Sequence, residues 1–171
     1  MRWFVPVLAA MLLLSACGKK EAAAPPPLAI PADAIGHFCN MAVSEHNGPK
    51  GQIVLKGQPQ PVWFTSARDA IAFTMLPEEP KDILAVYVSD MGKSASWDHP
   101  DIWVEARRAV FVIGSNRMGG MGAAEAVPFS ERTAAESFAA ANGGSVVDFQ
   151  HVPQDYILGA GVGGGHGPQG H

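Results

Sequence analysis

Between residues 51 and 152 the apolar positions change period in a set order, and they do so twice. GQIVLKG (51–57) and PVWF (61–64) are short runs of β-branched and aromatic residues separated by a Gly-containing turn, and they predict two strands. Ala67, Ala70, Ile71 and Met75 or Leu76 then recur at helical spacing, which predicts a helix with one apolar face that places Met75 in the core. DILAVYVSD (82–90) returns to strand character. In the second half, RRAVFVIGS (107–115) and EAVPF (125–129) predict strands, Ala134, Ala135, Phe138 and Ala139 a helical stripe, and SVVDFQHV (145–152) a last strand.

The two helices sit in an internal repeat. An offset of 65 residues aligns Phe64 with Phe129, Thr65 with Ser130, Ala70 with Ala135 and Phe73 with Phe138. Thr65 and Ser130 are the expected helix N-caps, because a hydroxyl can accept a free amide of the first turn. Asn142-Gly143-Gly144 is the expected stop of the second helix. The predicted fold class is therefore α+β, two related ββαβ units packed into one body. The first unit spans 36–90 and the second 91–158. About fifty residues make a marginal core alone, so the units are expected to share a buried surface. The junction 91–106 carries Trp97 and Trp103, read as packing residues. Met91, at a strand end, stays ambiguous.

The flanks have a different composition. Arg2 precedes an apolar run from Phe4 to Leu14, about right for a signal peptide and too short to span a bilayer. Leu14-Ser15-Ala16-Cys17 resembles the bacterial lipobox; the resemblance implies cleavage after residue 16 and acylation of Cys17. The alternative is a buried N-terminal helix with a chance cysteine, but the charged, low-complexity stretch that follows favours the lipobox. More than one acyl chain makes such an anchor stable. Residues 17–35, rich in Ala and Pro, read as a flexible tether, and no Asp follows Cys17 to decide between inner and outer membrane. Residues 159–171 are too rich in Gly to pack and read as a disordered tail carrying His166 and His171. These histidines are either solvated or an auxiliary metal site.

A formal charge of −4 with no basic stripe argues against nucleic acid as a partner. With Cys17 acylated, Cys39 is the sole remaining thiol, so no internal disulfide can form in an oxidising compartment. Cys39 must then be buried, bound or reactive. Met41 is two residues away, and in an extended segment the two sulfurs would share a side. Arg117-Met118-Gly119-Gly120-Met121-Gly122 is an insertion between the second unit's first two strands. Thioethers in a glycine loop are misplaced as core filler. Thiolate and thioether are soft donors that favour Cu(I), the thiolate also suiting Zn(II). Cys39, Met41, Met118 and Met121 are accordingly the candidate metal ligands, and His37 or His46 can complete the set. His99 reads as a loop residue and His151 as half-buried on the last strand. A nucleophilic enzyme is disfavoured: no third group orients a Cys–His pair and nothing marks an oxyanion hole. No small-molecule substrate is expected. A scaffolding lipoprotein that binds a partner without metal is the remaining alternative.

The lipobox, Cys39-x-Met41, Tyr87-Val88-Ser89-Asp90-Met91, the stretch Gly120–Phe129 and Asn142-Gly143-Gly144 together resemble the nitrous oxide reductase accessory lipoproteins, the NosL family. The resemblance covers roughly residues 37–152. It implies a periplasmic Cu(I) chaperone built from two ββαβ halves. Its implied partners are nitrous oxide reductase, whose copper–sulfide cluster it helps assemble, and a membrane ABC-type maturation complex. Many members have Cys-x-x-Cys-x-Met, and this chain has Gly36 in place of the first cysteine. The methionines then matter more.

Overall fold

A computed structural model describes residues 24–159. The elements run β1 Gly51–Leu55, β2 Val62–Phe64, α1 Ala67–Met75, β3 Ile83–Ser89, β4 Trp103–Glu105, β5 Val110–Ile113, β6 Val127–Phe129, α2 Arg132–Asn142, β7 Ser145–Asp148 and α3 Gln154–Leu158. Short 3-10 turns cover Val43–Glu45, Ala106–Arg108 and Phe149–His151. One sheet has the order β2-β1-β3-β4 and the other β6-β5-β7. In each, the first strand of the unit is central and pairs antiparallel with both neighbours. The chain is thus α+β, with the ββαβ order present twice.

Alternation along the central strands builds the layers. Ile53 and Leu55 of β1 face the main core. Gly51 lets α1 lie directly on the sheet: a Cβ there would stand 2.4 Å from that of Ala70. On β5, Phe111 turns into the same core while Val112 turns to a second cluster with Val127, Phe129 and Ala135. The second sheet is therefore covered by α2 on one face and by the first unit on the other. α1 lies inside, with Ala67, Ala70, Ile71, Ala72 and Phe73 buried, whereas α2 buries Ala135. Met75 packs on the main core and Met91 on the second cluster.

Several expectations shift. The first sheet gains β4 from the junction, which brings Trp103 against Trp63 at 6.3 Å. Trp97 stacks on Phe138, its ring 6.2 Å away and nearly parallel. Both tryptophans are packing residues, as expected. The last strand stops at Asp148, and 149–151 turn so that Phe149 meets Phe111. His151 leaves the sheet and is 75% exposed, against the half-buried place expected of it. Over so few residues, alternation does not separate a strand from a 3-10 turn. The same holds for Ala106–Arg108, which turns before β5 begins.

Residues 25–35 also depart from the reading as a tether. Leu28 donates its amide to Gln52 Oε1 and accepts from Gln52 Nε2, both at 2.9 Å, and Tyr87 donates to the Pro25 carbonyl at 2.8 Å. Gln52 is fully buried on the outer face of β1, and this segment supplies its partners. Ala34 and Ile30 close over Trp63. The signal peptide, Cys17 and the remainder of the tether, and residues 160–171 with His166 and His171, lie outside the described residues. Among the described residues no helix is long and apolar enough to cross a membrane.

Candidate metal centre

Cys39 sits in a closed turn, not an extended segment. Ile35 and Ala42 bridge across its base, Gly36 donates to the Met41 carbonyl and Asn40 to the Gly36 carbonyl, each at 2.8 Å. The turn needs a left-handed residue between the two sulfur side chains, and Asn40, at φ 55°, provides it. Cys39 and Met41 therefore lie on either side of a left-handed residue in a closed turn that strand alternation does not describe. Cys39 is half-buried and Met41 is 37% exposed. The thiol touches Thr65 Oγ1 at 3.4 Å and the Gly36 carbonyl at 3.9 Å, so its sulfur is held weakly and remains open to a ligand. Gly36 leaves that space: a Cβ there would meet Cys39 Sγ at 2.7 Å and Thr65 Cγ2 at 2.9 Å.

Thr65 is not the helix cap. Ser66 takes that role and accepts the Asp69 amide at 2.9 Å. In α2 the cap position is Glu131, with no side-chain bond, and Ser130 precedes it. Both expected caps are one residue early. The Thr65 hydroxyl is spent on Cys39, which sequence pattern alone could not indicate.

The methionine loop forms a small hairpin on the head of α1. Met118 bridges Ala124, and Gly119 donates to the Ala123 carbonyl at 2.9 Å. Gly120 lies so close to the 46–48 turn that a Cβ would stand 2.7 Å from His46 Cβ and 2.8 Å from the Asn47 carbonyl. Arg117 sits 4.2 Å over the Trp97 ring and fixes the loop's entry. Met121 lines a cavity of about 280 Å³ with Ser66, Asp69 and Glu125. Cys39 contacts Thr65, and Ser66, the next residue, lines the same cavity as Met121. Met118 and Met121 are both about half exposed, at 52% and 48%. Met118 does not line that cavity.

The histidines are engaged otherwise. His37 Nε2 lies 3.0 Å from Glu79 Oε1, and its ring is packed edge-on against Phe38 and Phe73. His46 has Nδ1 3.0 Å from the Ala42 carbonyl, which leaves its other nitrogen available. Among the described residues no three His, Cys, Asp or Glu side chains converge on one point that suits a metal ion.

Beneath the loop lie two buried ionisable groups absent from the sequence reading, Glu125 and Lys50. Glu125 is 1% exposed, and its Oε1 accepts the amides of Arg68 and Ala126, each at 2.9 Å. Burial pushes its carboxyl up to about 8, against the two amides and Lys50, with Asp69 adding to the rise. Burial lowers Lys50 to about 8 and Glu125 opposes this; its ammonium donates to the Asn47 and Gly48 carbonyls at 3.0 and 2.9 Å. Burial also raises Asp69. A signal existed: Glu125 is the one carboxylate in the stretch of glycine and apolar residues from Met118 to Phe129.

The sequence matches the family described as NosL over residues 27–157. It is 46% identical over 158 residues to the copper-binding lipoprotein NosL of Achromobacter cycloclastes, covering 91% of this chain and 82% of that one. It is 33% identical over 145 residues to the protein of the same name from Stutzerimonas stutzeri, covering 82% and 74%. The fold is similar to the crystal structure of the copper chaperone NosL from Shewanella denitrificans, with a TM-score of 0.70, 35% identity, and 76% and 98% of the two chains covered. The solution structure of apo-NosL from Achromobacter cycloclastes gives a TM-score of 0.50 at 44% identity over 68% and 94%.

Proposed function

The chain belongs to the NosL family, and on that premise we propose that it is a lipid-anchored, non-enzymatic carrier of Cu(I) on the periplasmic face of a membrane. Cys17 is the acylation site in this reading. Cys39 supplies the thiolate, Met41 the adjacent thioether, and Met121, with Met118 in reserve, a thioether from the glycine loop. The cargo goes to nitrous oxide reductase during assembly of its copper–sulfide cluster, with the membrane ABC-type complex as the docking partner.

The observation that carries the reading is the Cys39 turn: a half-buried thiol with weak contacts, beside an exposed thioether, against the helix head where the methionine loop lands. Soft donors in low number suit Cu(I). Thiolate binding releases a proton, so loading weakens as pH falls. An exposed thioether can be exchanged for a donor of the receiving protein, which lets the ion leave without both sites being empty at once.

Competition against a Cu(I) chelator tests this. Outer-sphere partners of a metal typically contribute 10- to 100-fold to affinity, so loss of a direct ligand in Cys39→Ser is expected to cost about a hundredfold or more. Unchanged affinity in that variant refutes the assignment and favours the scaffolding role without metal.

A further inference from the structure

The loop that carries Met121 has no regular secondary structure to hold it, yet it is seated closely on α1. Three hydrogen bonds and one close approach converge on a single residue, Glu125, beneath it. Glu125 Oε1 accepts the Arg68 amide in the first turn of α1 and the Ala126 amide at the start of β6. Its other oxygen lies under Gly119, where a Cβ would approach Oε2 to 2.7 Å. Its own carbonyl accepts the Tyr156 hydroxyl at 2.8 Å. Arg68 reinforces the seat, donating through Nε to the Ile157 carbonyl at 2.8 Å and through Nη1 to the Ala124 carbonyl at 3.2 Å. A fully buried, polar carboxyl group is costly to retain unless its hydrogen-bonding capacity is met. What it ties together here is the second unit's loop and the first unit's helix head. That head is fixed in turn beside the thiol, through Thr65.

We propose that Glu125 is the positioning residue of the copper site: it seats the methionine loop on α1, and this seating decides whether Met121 reaches the ion that Cys39 holds. Glu125 does not touch the metal and acts through Met121. The inference rests on the ligand set proposed above and adds a residue outside it.

A double-mutant cycle on the full chain separates this role from a general structural one. Cu(I) affinity is measured by chelator competition for Glu125→Ala, Met121→Leu and the double variant, and thermal stability is recorded for each. Glu125→Ala is expected to weaken affinity about tenfold in the parent and to have little further effect once Met121 is Leu. X-ray absorption on the Cu(I) form should show one sulfur neighbour fewer in Glu125→Ala. Glu125→Gln, which keeps an oxygen for the two amides, should restore it. If Glu125→Ala fails to fold, Gly119→Ala tests the same contact from the loop side, because its added methyl presses on Oε2. Equal losses in the parent and Met121→Leu backgrounds, or an unchanged sulfur count in Gly119→Ala, overturn the proposal. Retained affinity in Cys39→Ser would instead overturn the ligand set, and that result is read independently.

Discussion

The two ββαβ units share strand order and antiparallel pairing, yet they treat their helices in opposite ways. α1 is enclosed between the sheets, and the amides of its first turn all have partners: Ala67 donates to the Pro49 carbonyl, Arg68 to Glu125 and Asp69 to Ser66. α2 lies outside with no side-chain cap. The strand connections differ in the same sense. A short turn joins β1 to β2, whereas residues 114–126 separate β5 from β6 and carry the methionines. One copy of the repeat places the Cys39 turn against Thr65, two residues before α1, and the other carries the long loop that seats on the first turn of α1.

The contrast can be broken most strongly at the aligned phenylalanines. Phe73 is 1% exposed in the shared core, and Phe73→Ala should destabilise by about 4 kcal/mol in denaturant unfolding. Phe138 is only partly buried, and Phe138→Ala should cost about half as much, ~2 kcal/mol. Equal losses would mean that α2 is as central as α1.

Two buried ionisable groups, one in each unit, sharpen the comparison through pH. Glu125 titrates at about 8 in the fold against an ordinary 4.5, so between those values the native state holds a proton that the unfolded chain has lost, and stability falls as pH rises. Lys50 titrates at about 8 against 10.5, so above 8 the native state has released a proton that the unfolded chain keeps, and stability recovers. Unfolding free energy measured across this range should pass through a minimum near pH 8. Glu125→Gln should flatten the descending limb and Lys50→Met the rising one.

The smallest effects lie at the helix starts, and they should differ in sign. Ser66→Ala removes a cap and should cost about 1 kcal/mol. The Ser130 hydroxyl is buried with no hydrogen-bond partner among the described residues, so Ser130→Ala should be neutral or slightly stabilising. Thermal melts of the two variants decide it.

The hydrophobic pattern located β1, β2, α1, β3, β5, β6 and α2 because each keeps one period over enough residues, and glycines at positive φ end α2 where the sequence put its stop. It missed β4 and α3, which are three and five residues long and exist because the sheet edge and the core beside α1 offer them partners. The candidate sulfur residues were legible from type and context. Their arrangement was not, since it depends on Asn40 in a left-handed turn and on glycines pressed against His46 and Glu125.

By itself the sequence determined the repeated ββαβ order and the candidate soft donors, Cys39, Met41, Met118 and Met121. These follow from local periodicity and side-chain chemistry, which neighbours in the chain carry. Only the tertiary structure decided which helix lies inside, what occupies the Thr65 hydroxyl and where the methionine loop lands. Each of those depends on contacts between residues tens of positions apart, such as Cys39 with Thr65 and Arg68 with Glu125. Close packing and buried hydrogen bonds select those contacts, and no local pattern encodes them.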